Sequence, residues 1–205
     1  MSALPIAVLA SGEGTNLQAL LDHVHGREAQ IVAVASDRPQ ARALQRAQAA
    51  GVPTRVFALD EHPDRPARDL ALADWLQERG VRLVVLAGWM ALLTPAFLAR
   101  FPGAVINVHP SLLPAFPGTR SVAEAVDYGV KVFGVTVHFV DEGVDTGPII
   151  LQGAVEVPDA TGPDDVLARL RPLEHRLLPE AVRLFARGAI RPDPGNPRRI
   201  LVGTE

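Results

Sequence analysis

The sequence predicts an α/β protein: a mostly parallel, twisted sheet with helices on both faces and an antiparallel hairpin in the C-terminal part. Short apolar runs alternate with stretches of helical periodicity from Ile6 to Val108, the pattern of strands buried on both faces and joined by crossover helices. Glycine and proline punctuate those stretches where helices stop or start. Beyond Lys131 the period changes to two, in a pair of runs separated by a turn-rich loop, which reads as a hairpin.

Ile6 to Ala10 is the first strand. It is closed by Ser11-Gly12-Glu13-Gly14-Thr15-Asn16, after which Leu17, Leu20, Leu21 and Val24 recur at helical spacing. Ile31 to Ala35 is a second strand, the Ala-rich stretch from Gln40 to Ala50 a helix stopped by Gly51, and Thr54 to Phe57 a third strand. Pro66 suits a first helical turn, where its missing amide costs nothing, and that helix runs to about Arg79 before Gly80. Arg82 to Ala87 and Ala104 to Val108 are further buried-type strands. Pro110, Pro114, Pro117 and Gly118 then force a loop, because proline cannot supply the amides of a helix or ladder. A short helix near Ser121 to Tyr128 leads into Val132 to Val140, the predicted hairpin partner of Ile149 to Val157. A last helix covers about Gly162 to Arg187; Pro172 is expected to kink it, and the Pro-rich tail from Arg191 to Glu205 is expected to be poorly ordered.

Composition excludes several classes of function. The chain is 48% hydrophobic and 21% charged, a globular balance, and its 205 residues suit a single domain. Twenty Lys and Arg against 23 Asp and Glu leave a net charge of −3, with no general attraction to nucleic acid or an anionic membrane. Without cysteine there is no disulfide, thiolate nucleophile or Cys-ligated metal. The longest apolar stretches, such as Leu83 to Leu93, are too short to span a membrane, and the first strand follows Met1 too closely for a signal peptide. A soluble, cytoplasmic protein is expected, as a monomer or homodimer, with no metal.

Two constellations invite chemistry. Gly12 and Gly14 let backbone amides approach an anion beside a helix N-terminus, with Thr15 and Asn16 as polar neighbours. The Walker lysine and the third glycine of a dinucleotide fingerprint are absent, so a monophosphate is the more economical guest. A plain strand-to-helix turn with an Asn cap satisfies the same residues, and Glu13 would repel phosphate unless it points to solvent. Further on, Asn107 and His109 share one side of a strand end, where open α/β sheets bind ligands. An imidazole moves protons near neutral pH and an amide can hold an oxyanion. Asp145, in the turn-rich Asp141 to Pro148 loop, can orient that imidazole or simply form an Asx turn. His138 lies on an internal strand, packed or hydrogen-bonded near the site.

Asn107-Val108-His109-Pro110-Ser111-Leu112-Leu113-Pro114, then Phe116-Pro117-Gly118, then the loop holding Asp145, together resemble the signature of the folate-dependent formyltransferases. The loop Ser11 to Asn16 resembles the branch that formylates a glycinamide ribonucleotide in purine synthesis, and the likeness extends from Ile6 to about Arg187. The resemblance implies a Rossmann-like, mononucleotide-binding half to about residue 103, a folate-binding and catalytic half from about 104 to 190, and a tail from 191 to 205. It implies transfer of the formyl group of 10-formyltetrahydrofolate, as cosubstrate, to the amine of 5-phosphoribosylglycinamide. Asn107, His109 and Asp145 match the catalytic positions. Gly14, Thr15 and Asn16 match phosphate contacts, and Glu174 the acid on the ribose hydroxyls. Arg65, Met90, Ala91, Leu92, Leu93 and Asn107 match folate-contacting positions, and the backbone from Val140 to Val144 belongs to the same pocket.

Three departures accompany the likeness. Ala91 stands where relatives often carry Arg, Arg120 and Val122 where relatives can carry His, and Pro172 sits two residues before Glu174. A formyltetrahydrofolate hydrolase would use the same Asn, His and Asp but tends to carry an added regulatory domain. A transfer-RNA or sugar formyltransferase usually adds a C-terminal domain and lacks the glycine-rich loop. A non-catalytic nucleotide or folate sensor would not need Asn107, His109 and Asp145.

Overall fold

The apolar runs of the first half form a parallel sheet, because each is hydrophobic at successive positions and finds cover on both faces. β1 (Leu4–Leu9), β2 (Ala29–Ser36), β3 (Thr54–Val56), β4 (Leu83–Leu86) and β5 (Val105–His109) lie in the order β3-β2-β1-β4-β5. In register, Val8 pairs with Val34 on one side and Val85 on the other. Ile6, Val8, Leu9, Val34, Leu83 and Val85 are fully buried and make the centre of the core.

The chain adds β2 and β3 on one side of β1, then crosses to the other side for β4. With right-handed crossovers this reversal puts α1 (Thr15–His23) and α2 (Arg42–Ala49) on one face and α3 (Arg65–Gln77) on the other. It also creates a topological switch point at the C-terminal ends of β1 and β4, where such sheets bind ligands. α3 starts as its sequence dictates: the Asp64 side chain accepts the Ala67 amide hydrogen at 2.8 Å, and Pro66 occupies the first turn. A four-residue helix, α4 (Pro95–Leu98), precedes β5.

The structure, a computed structural model, describes residues 3–203, and the chain separates into two compact units, one ending at Asn107 and one beginning at Val108. In the second unit β6 (Val132–Phe139) and β7 (Ile149–Glu156) form the antiparallel hairpin, between α5 (Ser121–Tyr128) and α6 (Pro163–Ala186). The α/β class, the parallel strands and the hairpin are as the sequence predicts.

One expectation is corrected. The tail is ordered through Gly203: β8 (Ile190–Asp193) and β9 (Asn196–Val202) form a second hairpin, and β9 runs parallel beside β7, giving β6-β7-β9-β8. Ile200, Leu201 and Val202 supply strand formers that the prolines obscure. Pro192 falls on the edge strand and Pro197 near a strand start, the places where a sheet tolerates proline. The Gly195 amide donates to the Asp193 side chain at 2.9 Å and fixes the turn between them. Residues 204 and 205 of the predicted tail lie outside the described residues. α6 runs as one helix through both Pro172 and Pro179. Its buried Val166, Leu170, Leu177, Leu178 and Val182 pack on β6 and β7, and that packing outweighs a local backbone cost. Among the described residues no helix is long and apolar enough to cross a membrane.

Candidate active site

In the first unit, the glycine-rich loop leaves β1 and is moulded by backbone contacts. The Ser11 amide donates to Gly88 O at 2.9 Å, and Ala43 at the start of α2 donates to Gly12 O at 3.1 Å. Gly14 has φ +71° and caps α1; a Cβ there would lie 2.7 Å from the Ala43 Cα, so both conformation and space demand glycine. Because the cap is Gly14 without a side-chain bond, Asn16 falls within the first turn rather than at the cap, and the alternative of an Asn-capped turn is not realised. The first-turn amides of α1 have no intrahelical acceptor and carry the positive end of the helix dipole. Glu13 points to solvent, its carboxylate paired with Arg42 at 3.0 Å, while Arg46 donates to the Glu13 carbonyl at 2.8 Å.

The segment after β4 has no regular structure from Trp89 to Thr94 and lies across the switch point from that loop. The Met90 amide donates to the Ser11 hydroxyl at 2.9 Å. Met90 and Leu92 are exposed, Ala91 and Leu93 half-buried, so the segment offers an apolar surface with main-chain polar groups. Arg65 is exposed at the start of α3. Asn107 is half-buried on β5, two residues before His109.

In the second unit, Asp145 draws together residues far apart in sequence. Its Oδ2 lies 3.4 Å from His109 Nδ1 and accepts the Gly118 amide at 2.8 Å; its Oδ1 lies 3.6 Å from His138 Nε2. His109 and His138 are buried. The remaining nitrogen of each imidazole faces a carbonyl: His109 Nε2 donates to Phe116 O at 2.9 Å, and His138 Nδ1 to Phe139 O at 2.8 Å. A His109 ring carrying both N–H groups therefore has an acceptor for each. Burial opposes the charge on Asp145, and that is the largest single influence. It is outweighed by the interaction with His138, the Gly118 amide and the nearby charges of His109 and His138, which hold the carboxyl below the usual aspartate range.

Local backbone explains how the loop delivers that carboxylate. Asp145 sits at φ +54°, an unusual conformation for a residue other than glycine, as strained residues at functional sites often are. The Asx turn falls on Asp141, whose side chain accepts from the Gly143 amide at 3.1 Å and the Thr146 hydroxyl at 2.6 Å. At Gly147 a Cβ would lie 1.8 Å from Phe139 O, so only glycine lets the loop return to β7. The proline-rich loop is fastened to the hairpin by polar side chains, the buried Thr136 and the exposed Gln152. Thr136 donates to Ser111 O at 2.7 Å, and Gln152 donates to Leu113 O at 2.9 Å. The carbonyl of Phe116 and the amide of Gly118 escape a reading of side-chain chemistry, and the crowding of Pro and Gly around them is the one available signal. Glu174 is half-buried on α6. No group of three or more His, Asp or Glu among the described residues is placed to hold a metal ion.

The chain matches the formyl transferase family over residues 4–182. It is 47% identical over 182 residues to the phosphoribosylglycinamide formyltransferase of Mycobacterium tuberculosis (strain H37Rv), a match covering 88% of this chain and 84% of that one. The phosphoribosylglycinamide formyltransferase of Haemophilus influenzae is 41% identical over 188 residues, 91% of this chain and 89% of its own. The crystal structure of glycinamide ribonucleotide transformylase 1 from Symbiobacterium toebii superposes with a TM-score of 0.94 at 46% identity, covering 98% of this chain and 95% of that chain. This chain belongs to the formyl transferase family.

Proposed function

We propose that this chain transfers the formyl group of 10-formyltetrahydrofolate to the amine of 5-phosphoribosylglycinamide, giving formylglycinamide ribonucleotide and tetrahydrofolate in purine biosynthesis. The observation that carries this reading is the half-buried Asp145 carboxylate between the buried His109 and His138, in a chain whose relatives are named for that reaction. The substrate amine attacks the formyl carbon and gives a tetrahedral intermediate with a negative oxygen and a positive nitrogen. Asn107 and a protonated His109 stabilise the oxygen, the Phe116 carbonyl giving way to it as acceptor of the Nε2 hydrogen. Asp145 orients His109, and helps carry the proton from the attacking nitrogen to the departing folate nitrogen as the carbon–nitrogen bond breaks. The formyl group arrives activated by the folate, so the chemistry calls for no metal.

Gly14, Thr15 and Asn16 bind the phosphate with first-turn amides of α1, and Glu174 binds the ribose hydroxyls. Arg65 and the segment Met90, Ala91, Leu92 and Leu93 take the folate, together with Asn107 and backbone from Val140 to Val144. These partners are small molecules, and the net charge of −3 supports a reading without nucleic acid or membrane, in the cytoplasm. The test mixes purified protein with 10-formyltetrahydrofolate and follows tetrahydrofolate release with and without the ribonucleotide. Release only in its presence is expected. Release that ignores it would make the chain a hydrolase, and no release would make it a sensor.

A further inference from the structure

We propose that the buried ion pair Arg68–Asp69 on α3 is the positioning element of the formylfolate subsite, holding the irregular segment from Trp89 to Thr94 in register. The inference rests on the function proposed above and assigns a role to two side chains that do not themselves touch the reaction. Arg68 is 2% exposed and Asp69 fully buried. Charges so deeply placed are costly unless their hydrogen bonds are met, and these are met in a specific way. Arg68 donates through Nε at 2.9 Å and Nη2 at 2.5 Å to one oxygen of Asp69, Oδ1. The other oxygen, Oδ2, is thereby aimed at the Thr94 amide and accepts its hydrogen at 2.7 Å. The guanidinium of Arg68 also lies over the Trp89 ring, 5.6 Å from its centre.

The segment therefore has side-chain anchors at both ends. Ser11 accepts the Met90 amide at its start and Asp69 the Thr94 amide at its end, with Trp89 held beneath Arg68. No strand ladder or helix fixes residues 90–93 between them. A pocket that reads a flat heterocycle by main-chain groups needs those groups held to a fraction of an ångström, and the buried pair supplies that rigidity. Neither Arg68 nor Asp69 bonds the glycine-rich loop directly; that loop meets the segment at its far end, where Ser11 accepts the Met90 amide, while Asp69 holds the Thr94 end.

Thr94→Pro tests this without touching the pair: it deletes the donated N–H at a residue whose φ of −77° already suits proline. A rise of about 10-fold in KM for formylfolate is expected, with kcat and ribonucleotide KM within about twofold. Asp69→Asn should give the same split, and Asp69→Glu should not restore the wild type, because a longer arm displaces the anchor. Should Asp69→Asn fail to fold, Thr94→Pro decides alone, and fluorescence-monitored unfolding confirms that it is native. Equal rises in both KM values, or no change in either, would overturn the inference. Wild-type protein inactive with both substrates would instead overturn the proposed function, so the two failures are distinguishable.

Discussion

The two units hold their polar groups by opposite means. In the unit ending at Asn107, the groups assigned to the phosphate include main-chain amides of α1, and the charged side chains around the glycine-rich loop, Glu13 and Arg42, stand in solvent. In the unit beginning at Val108, the groups assigned to chemistry are side chains, and His109, His138, Ser111 and Thr136 are buried. The difference follows from the tasks. Binding a phosphate needs fixed donors, which a helix N-terminus provides without any ionisable side chain. Moving a proton needs titratable groups, and these act strongly only where water is kept away. Even the buried charges of the first unit, Arg68 and Asp69, serve to hold backbone.

The largest effect that could break this contrast lies at His109. His109→Ala should lower turnover at least ~100-fold, the lower range for a lost acid–base group, and leave ribonucleotide affinity within about twofold. Steady-state kinetics with calorimetric binding of the ribonucleotide checks both. Near-normal turnover would mean that the buried side chains of the second unit are structural. Gly14→Ala is the matching change in the first unit. The added Cβ meets Ala43 backbone at 2.7 Å, and φ +71° is strained for alanine. A stability loss of about 1–3 kcal/mol by urea unfolding is expected. The KM for ribonucleotide should rise by about 10-fold as the loop backbone shifts, with kcat spared. A selective fall in kcat instead would blur the division of labour.

Those paired variants also mark what the sequence could and could not reveal. Alternating apolar runs and glycine stops made the parallel sheet, the helix from Pro66 and the β6–β7 hairpin legible, because burial on both faces writes itself into composition. Asn107, His109 and Asp145 were legible as polar residues at a strand end and in a turn-rich loop. That Asp145 meets His109 was legible only as one of two alternatives, beside an Asx turn, since they stand 36 positions apart and only tertiary structure closes the gap to 3.4 Å. Arg68–Asp69 gave no signal because an Arg-Asp pair on a helix reads as a solvated face. The β8–β9 hairpin was hidden by prolines that sit where a sheet tolerates them, and the continuity of α6 depends on a hydrophobic face whose cover no local window records.

A smaller effect sharpens the comparison through pH. The folded-state pKa of Asp145 is lowered, so its carboxylate stabilises the fold above the unfolded-state value of about 3.9, and that contribution is lost as pH falls through the lowered value. The stability gap between wild type and Asp145→Asn should therefore shrink as pH falls from about 5. Urea unfolding across that range measures the gap. A gap that widens in acid would have the wrong sign and would mean that burial, not the two imidazoles and the Gly118 amide, controls this carboxyl.

The smallest expected effect lies at Glu13, the one negative charge within the glycine-rich loop. Its side chain is 66% exposed and Arg42 covers it at 3.0 Å, so solvent screens both the pair and any repulsion it spares an incoming phosphate. Arg42→Ala uncovers the carboxylate and should raise ribonucleotide KM about twofold at low salt, an effect that added salt erases. Glu13→Gln should leave KM unchanged or slightly lower. The double variant should match Glu13→Gln alone, because with the carboxylate gone nothing remains for Arg42 to neutralise. If Arg42→Ala instead cost about 10-fold in the Glu13→Gln background as well, the guanidinium itself would be holding the phosphate. The first unit would then bind its anion as the second unit does its chemistry, by a side chain, and the contrast between the two would fail.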